Sequence, residues 1–378
     1  MNYPRLDIDC GKVHHNAQFL ISQLSLKNIS VTPVTKAFLG HPIIAQVLID
    51  AGATMLADSR IENLQKMTES GIAIPKMLIR TPMLSQVASV IKYSDMSLNS
   101  EVEVIQRLSH AAEQQNCCHG IIIMVELGDL REGVMPNRVI DFIREIISLP
   151  NITIKGIGTN LACRYGVAPD DKNMNILSDL ADGIEATFGI NLEIISGGNS
   201  ASVNWALQRT GLTRVNHLRI GEAIFLGCEP LEHENIKGLH TDAISLTAEV
   251  IESKIKPTLP WGSRGLNAFG EKENLQDRGE LSQAILALGR QDVCVGGLKA
   301  PNGIKIMSST SDHLVLESSQ KPLLVGEKVT FSLDYSALLS SMSSRYIHKY
   351  FKAPKGRRKE EGAHNATNNC NSLRQCHA

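Results

Sequence analysis

Short apolar runs rich in β-branched residues alternate with longer stretches of helical apolar spacing over most of this chain. After an opening run at Leu6 to Cys10, the β-type runs are 31–36, 54–58, 77–81, 96–99, 121–126, 152–159, 192–196 and 217–225. Between them the apolar residues fall at helical spacing: Ile43, Val47 and Leu48 precede Gly52, and Val102, Ile105 and Leu108 precede Asn116. The continuous runs read as buried strands and the helical spacing as helices with one face on a core. Eight such β–α units over about 225 residues match the roughly 250 residues of a TIM-type (β/α)8 barrel. A doubly wound open sheet is the other α/β topology that fits. No GxGxxG opens a helix after the first strand, which counts against its dinucleotide-binding form.

The texture changes after residue 240. Alternating runs at 244–251, 281–288, 304–307, 313–316 and 328–333 are broken by glycine and proline, and helical spacing is scarce. The reading is a barrel over residues 1–240 and a mainly β C-terminal domain over 241–353, with residues 1–10 able to join that β domain. Residues 354–378 are polar, open with a Lys-Gly-Arg-Arg-Lys cluster and lack apolar periodicity, so a disordered tail is expected there. The 378 residues exceed ordinary single-domain size, and 43% hydrophobic content supports a sizeable core. A net charge of −1 gives no electrostatic case for nucleic acid or an anionic membrane, and 4% aromatic residues give no stacking surface for single strands. No apolar run is long enough to span a bilayer, and the N-terminus does not read as a signal peptide. The eight cysteines are scattered without zinc-type spacing, so reduced thiols, a cytoplasmic location and no metal centre are expected.

Chemistry gathers at the C-terminal ends of the predicted barrel strands, where such folds keep their active sites. The first long run ends on Lys36; a lone lysine there is ordinarily a solvated strand cap, but a partly desolvated amine at a barrel mouth can form a Schiff base. Later strand ends carry Asp58, Arg80-Thr81, Asn99, Glu126 with Asp129 and Arg131, Asn160 with Cys163 and Tyr165, and Ser196-Gly197-Gly198-Asn199-Ser200. Two glycines before a serine and a new helix let backbone N–H groups approach a phosphate; the plainer reading is an αβ turn with Ser200 as N-cap. Arg219 lies inside an apolar strand, so it must face the site or a buried partner, and Gly221 after it frees another N–H for an anion. A reactive lysine, a phosphate nest and a buried arginine on one rim describe a pyridoxal 5′-phosphate site. An arginine on the pyridine nitrogen leaves that nitrogen unprotonated, which favours brief carbanion character and simple proton transfer.

With these residues in place, the chain resembles the alanine racemase family of barrel-type pyridoxal phosphate enzymes, and within it the alanine/ornithine racemase branch, over about residues 3–351. The resemblance implies that Lys36 in Val-Thr-Lys-Ala is the cofactor lysine. Arg131 is then the arginine near the ring oxygen and the substrate carboxylate. Asn199 and Ser200 become phosphate ligands, Arg219 the partner of the pyridine nitrogen, and Gly221, with Glu222 beside it, the second phosphate contact. It also implies a homodimer whose β domains complete the sites, with Ser311, Asp312 and His313 near the substrate carboxylate. Three positions depart from the family pattern. Phe269 aligns with the family's second acid/base, a tyrosine, and phenylalanine cannot move a proton. Met124 stands where many relatives keep a modified lysine, and Leu39 replaces a tyrosine that contacts the phosphate.

The implied reaction is α-proton exchange on an amino acid, with Lys36 the base on one face and Tyr165, His313, Asp292 or Cys163 serving the other. Glu126, Asp129 and Asp292 are candidates for a basic side chain such as ornithine's, with solvated rim charge as the plain alternative. The expected activity is amino-acid racemisation with ornithine-like, alanine-like or broad preference. The second class is a pyridoxal phosphate-dependent D-amino-acid aldolase or dehydratase, which needs a metal; His313 and Cys294 offer no tight ligand spacing for one. A non-catalytic cofactor carrier is the third.

Overall fold

A computed structural model describes residues 2–272, 275–319 and 321–353. The expected tail and residues 273, 274 and 320 lie outside that set. The chain divides into two compact units, one of residues 10–241 and one of 2–9 with 242–353.

Chain order explains the division, because the first strand, β1 (Arg5–Asp9), belongs to the second unit. The unit of residues 10–241 then runs α1 (Cys10–Ser25), β2 (Ser30–Pro33), α2 (Pro42–Asp50), β3 (Leu56–Asp58), α3 (Ile61–Glu69), β4 (Lys76–Leu78), α4 (Val87–Tyr93), β5 (Met96–Asn99) and α5 (Val102–Gln114). It continues with β6 (His119–Met124), α6 (Val139–Ile146), β7 (Ile152–Gly158), α7 (Asp171–Phe188), β8 (Ile194–Ser196), α8 (Ser202–Gln208), β9 (His217–Ile220) and α9 (Glu222–Leu226). All eight strands β2 to β9 are parallel, and β2 pairs with β9 in register Val31 to Leu218. A Val34–Ala57 bridge, with the Thr35 N–H donating to Ala57 O at 2.8 Å, joins β2 to β3 and completes the barrel.

Two-residue alternation sorts the side chains. On β6, Ile121 and Ile123 pack outward against Ile105, Val139 and Ile143 of the helices. Ile122 and Met124 instead pack inward with Val34, Ala57, Met77, Met96 and Leu98. Met124 thus contributes a buried apolar side chain to the barrel interior. Each such residue contributes about 1.5–3 kcal/mol by leaving water. The helices bury the complementary stripe, as α6 does with Val139, Ile143 and Ile146.

The other unit is an eight-stranded sheet. It contains β10 (Ile244–Pro257), β11 (Glu280–Leu286), β12 (Leu298–Lys299), β13 (Ile304–Ser309), β14 (Leu314–Ser318), β15 (Lys328–Leu333), a helix α10 (Tyr335–Ser343) and β16 (His348–Lys352). Its strand path is β12-β15-β10-β11-β14-β13, with β1 antiparallel to β10 and parallel to β16.

Three expectations need correction. The run 217–225 is not one strand: it stops at Ile220, and α9 follows the non-helical Gly221. A continuous apolar run does not distinguish a strand from a buried helix, so the error lay in the pattern itself. Helix α10 and β16 were not anticipated; the helix is announced only by Asp334, whose side chain accepts the Ala337 N–H at 2.8 Å. Reduced thiols were expected throughout; Cys10, Cys117, Cys163, Cys228 and Cys294 are free, whereas Cys118 is disulfide-bonded. Among the described residues no helix is long and apolar enough to cross a membrane.

Candidate active site

The rim at the C-terminal ends of the barrel strands is built from β2 outward. Lys36 follows that strand in a single 3-10 turn, Lys36–Phe38, with its side chain half-buried. The preceding Thr35 is fully buried, and its hydroxyl donates to Asp58 Oδ2 at 2.7 Å. Asp58 Oδ1 accepts the Arg60 N–H at 3.0 Å and the Asn63 amide at 2.9 Å. Burial pushes the Asp58 carboxyl above its usual value although these donors work the other way. The base of the Lys36 turn is therefore pinned to the end of β3.

Arg219 is 3% exposed on β9. Its guanidinium donates to Ser196 Oγ and to Thr159 O, the latter at 2.8 Å. Gly158 lets β7 lie close to β8, since a Cβ there would sit 3.0 Å from Ser196 Cβ and in ordinary contact with Arg219 Nη1. Burial lowers the Arg219 pKa to about 10, with Glu132 and Arg131 exerting opposite pulls, so it stays charged at neutral pH. Because Arg219 only donates, the Ser196 hydroxyl is left to donate to His217 Nδ1 at 2.8 Å, and His217 Nε2–H then donates to Thr32 Oγ1 at 2.8 Å. His217 is a neutral relay: burial first and the Arg219 charge second lower its pKa to about 3. Sequence inspection missed this residue, although a histidine two positions before a buried arginine on one strand shares its face.

The nest after β8 is a cradle of donors. Ser200 Oγ accepts the Gly221 N–H at 3.3 Å and the Ala223 N–H at 3.2 Å, joining the ends of β8 and β9. Asn199 Oδ1 accepts the Ala201 N–H at 2.8 Å, and its amide donates to Leu161 O at 2.8 Å and Asn160 Oδ1 at 3.1 Å. The same amide reaches Cys163 Sγ at 3.5 Å, and the Asn160 amide donates to that sulfur at 3.0 Å.

Two loops carry the remaining candidates, and their acids hold backbone. Glu126 is nearly buried and accepts N–H groups of Gly128, Leu130 and Arg131 at 2.6, 2.9 and 3.1 Å. Gly133, at φ +144°, lets this loop fold back, since a Cβ there would sit 2.5 Å from Glu126 N. Arg131 pairs with Glu132, and both lie within electrostatic reach of Arg219, as does Cys163. Asp129, fully buried, accepts N–H groups of Arg164 at 2.8 Å, Cys163 at 3.0 Å, Tyr165 at 3.1 Å and Val167 at 3.4 Å. Burial works against its charge, but these donors outweigh it and hold the carboxyl below the usual carboxylate range. Asp292 accepts from Gly289 N at 3.2 Å and Ser344 Oγ at 3.3 Å. Glu126, Asp129 and Asp292 thus each hold backbone or a neighbouring side chain.

Lys36, Arg131, Cys163, Asn199, Ser200, Arg219, Gly221 and Glu222 all belong to the barrel unit, the last opening α9. Tyr165 is 63% exposed, with the Arg164 guanidinium over its ring at 4.8 Å. Ser311, Asp312 and His313 form an exposed turn of the other unit. There Thr310 Oγ1 accepts the His313 N–H at 3.1 Å, and Ser311 O accepts the Gln291 N–H at 3.0 Å. Phe269 lies in that unit under the Arg290 guanidinium at 4.0 Å, and Arg290 is held by Glu271 at 3.0 and 2.9 Å.

A family model, the alanine racemase N-terminal domain, matches residues 8–229. The chain belongs to the alanine racemase family. An ornithine racemase of Acetoanaerobium sticklandii is 39% identical over 92% of this chain and 99% of its own length. A lysine racemase of Thermotoga maritima is 37% identical over 93% and 99%. Among solved structures, alanine racemase of Clostridium difficile 630 superposes with a TM-score of 0.70 at 18% identity, covering 93% of this chain and 96% of that one. D-threonine aldolase of Filomicrobium marinum superposes at 0.69 with 14% identity, covering 90% and 89%. Both likenesses carry the two-part fold alone.

The cofactor of this family is pyridoxal 5′-phosphate, and the rim fits it. A buried guanidinium with only neutral acceptors beside it suits a ring nitrogen lone pair. Thr159 Oγ1, next to it, is a buried hydroxyl without a protein partner. The Gly221 and Ala223 N–H groups, which converge on the Ser200 hydroxyl, would with that hydroxyl turn to a phosphate.

Proposed function

We propose that this chain is an amino-acid racemase acting on an amino acid with a basic side chain, of the ornithine and lysine class. The observation that carries the racemase reading is Arg219. A buried, charged guanidinium would hold a pyridine nitrogen set against it unprotonated, which suits proton exchange without further bond cleavage. The side-chain class is supported by the two relatives named ornithine and lysine racemase, each similar over nearly the whole chain.

When bound, the cofactor acidifies the α-proton of the amino acid joined to it. Lys36 Nζ takes or returns that proton on one face. We assign the other face to Cys163 Sγ, because two amides converge on that sulfur and Arg131 and Arg219 lie near it. Arg131, fixed through its own N–H on Glu126, is assigned to the substrate carboxylate. Ser200, Gly221 and Ala223 would hold the phosphate, and Arg219 would orient the ring. Five free thiols suit a cytoplasmic enzyme, with the disulfide-bonded Cys118 as the exception. Exposed apolar Trp261 and Leu266 suit a homodimer, which sedimentation at micromolar concentration would test.

Loss of α-deuterium from L-ornithine, L-lysine and L-alanine in ordinary water, with the enantiomer formed, tests the activity. Cleavage of β-hydroxy amino acids without washout would overturn it in favour of an aldolase. Cys163→Ala should retain washout from one enantiomer while losing interconversion; equal loss from both enantiomers would remove Cys163 from the second face.

A further inference from the structure

We propose that Glu222, Cys228 and His233 form a site for a divalent transition-metal ion of the zinc class, adjoining the Gly221 end of the phosphate cradle. Their ligand atoms, one carboxylate oxygen, one sulfur and one ring nitrogen, all lie within 4.8 Å of one another. Around a tetrahedral zinc with bonds of about 2.0–2.3 Å, ligand atoms stand roughly 3.3–3.8 Å apart, so modest side-chain rotation closes the set. Thiolate, imidazole and carboxylate together favour zinc or cobalt over magnesium or calcium, which take oxygen ligands. Three protein ligands leave the fourth position to water.

The backbone around the three is fixed in advance. Glu222 opens α9, and the helix ends on Gly227 at φ +69°, where a Cβ would lie 2.4 Å from His240 O. Cys228 pairs with Asn235 in an antiparallel bridge, and Glu229 N donates to Glu234 O at 3.0 Å, closing the intervening loop. The buried Glu229 carboxylate accepts N–H groups of Leu231 at 2.8 Å, Glu232 at 2.7 Å and Glu234 at 3.1 Å. That clamp holds His233, at φ +56°, on the loop facing back toward the helix ends. A left-handed histidine is uncommon, and here the loop enforces it. The spacing of five and four residues between the ligands matches no zinc-finger pattern, which is why the sequence did not announce it.

On binding, the Cys228 thiol releases its proton to solvent and the sulfur takes up a bond to the metal, with no change in oxidation state. Affinity therefore rises with pH. Occupancy ties the 228–235 loop to the residue following Gly221, whose N–H is part of the phosphate cradle.

The test uses the purified full-length holoenzyme, stripped of metal by dialysis against chelator and titrated with Co2+ under reducing conditions. Expected are one equivalent bound per chain and a thiolate-to-cobalt charge-transfer band in the difference spectrum. Cys228→Ser and His233→Ala should each lose the band and weaken binding at least tenfold, while Cys294→Ser retains both. Zinc should raise the unfolding midpoint of the parent protein and leave that of Cys228→Ser unmoved. Absence of the band, or a band that survives both Cys228→Ser and His233→Ala, would overturn the site. The readouts involve no turnover, so they stand apart from the activity assays.

Discussion

Asp129→Asn isolates the clamp that holds the Cys163 loop. In the parent, Oδ2 accepts from Cys163 and Arg164 and Oδ1 from Tyr165 and Val167, with the residue fully buried. The amide has the same shape but replaces one oxygen with a donor, so two backbone N–H groups face an N–H2 group. A buried donor left without an acceptor costs about 1–3 kcal/mol, and the two that remain lose their charge assistance. A loss of about 3–5 kcal/mol follows, near the upper end for single substitutions. It should appear as a lower urea midpoint read by Trp205 fluorescence in a Trp261→Phe background. The chain has two tryptophans, and Trp205 is the one in the barrel unit. The pH dependence follows from the sign. The carboxyl is held below its ordinary value in the folded state, so its contribution is full above about pH 4 and is lost as pH falls through the folded value. The gap between parent and variant should therefore narrow on acidification below about pH 4. Racemisation should fall with the stability at pH 7, because Cys163 is positioned by this carboxylate. A variant within about 1 kcal/mol of the parent at pH 7 would refute the clamp.

Asp58→Asn should be neutral or stabilising by up to about 1–2 kcal/mol at pH 7, because a buried charge disappears while Thr35 can turn its hydroxyl to Ala57 O at 3.2 Å and accept from the new amide. A large loss in thermal unfolding would contradict this. His217→Gln should flatten the acid limb of the stability curve. The folded pKa of about 3 lies below the unfolded 6.5, so the parent loses stability as pH falls from 6.5 toward 3, by about 4–5 kcal/mol. Equal slopes in the two proteins would place the acid sensitivity elsewhere. Gly158→Ala puts a Cβ 3.0 Å from Ser196 Cβ and beside the Arg219 guanidinium. Cofactor affinity measured by equilibrium dialysis should fall about tenfold or more, alongside a stability loss of about 1–3 kcal/mol from the crowded strand, and unchanged affinity would argue that Arg219 does not touch the ring.

The barrel was legible because period and length agree: eight short β-branched runs separated by helical spacing admit few topologies. What period cannot register was missed. The 217–225 run hides a strand, a break at Gly221 and the five-residue α9 in one apolar stretch. That residues 1–10 could join the β domain was legible, but their partners β10 and β16, more than 230 residues away, are encoded in no local pattern.

For the rim, residue type located the buried arginine and the lysine turn, since a charge in an apolar strand has few explanations. The acids were harder, because a carboxylate at a strand end reads alike whether it meets solvent, substrate or backbone. The deciding quantity is the number of N–H groups converging on it. Glu126 gathers three, Asp129 four and Glu229 three, each within its own loop or the next. One arrangement thus recurs around the rim, in which a buried carboxylate freezes a loop and the loop presents a different group: Arg131, Cys163 or His233. Loops fixed this way need no packing of their own, so the presented side chain is free to differ while its position is held. Cys163 and Tyr165 share one such loop, both side chains exposed, and the Asp129 carboxylate fixes the backbone N–H of each.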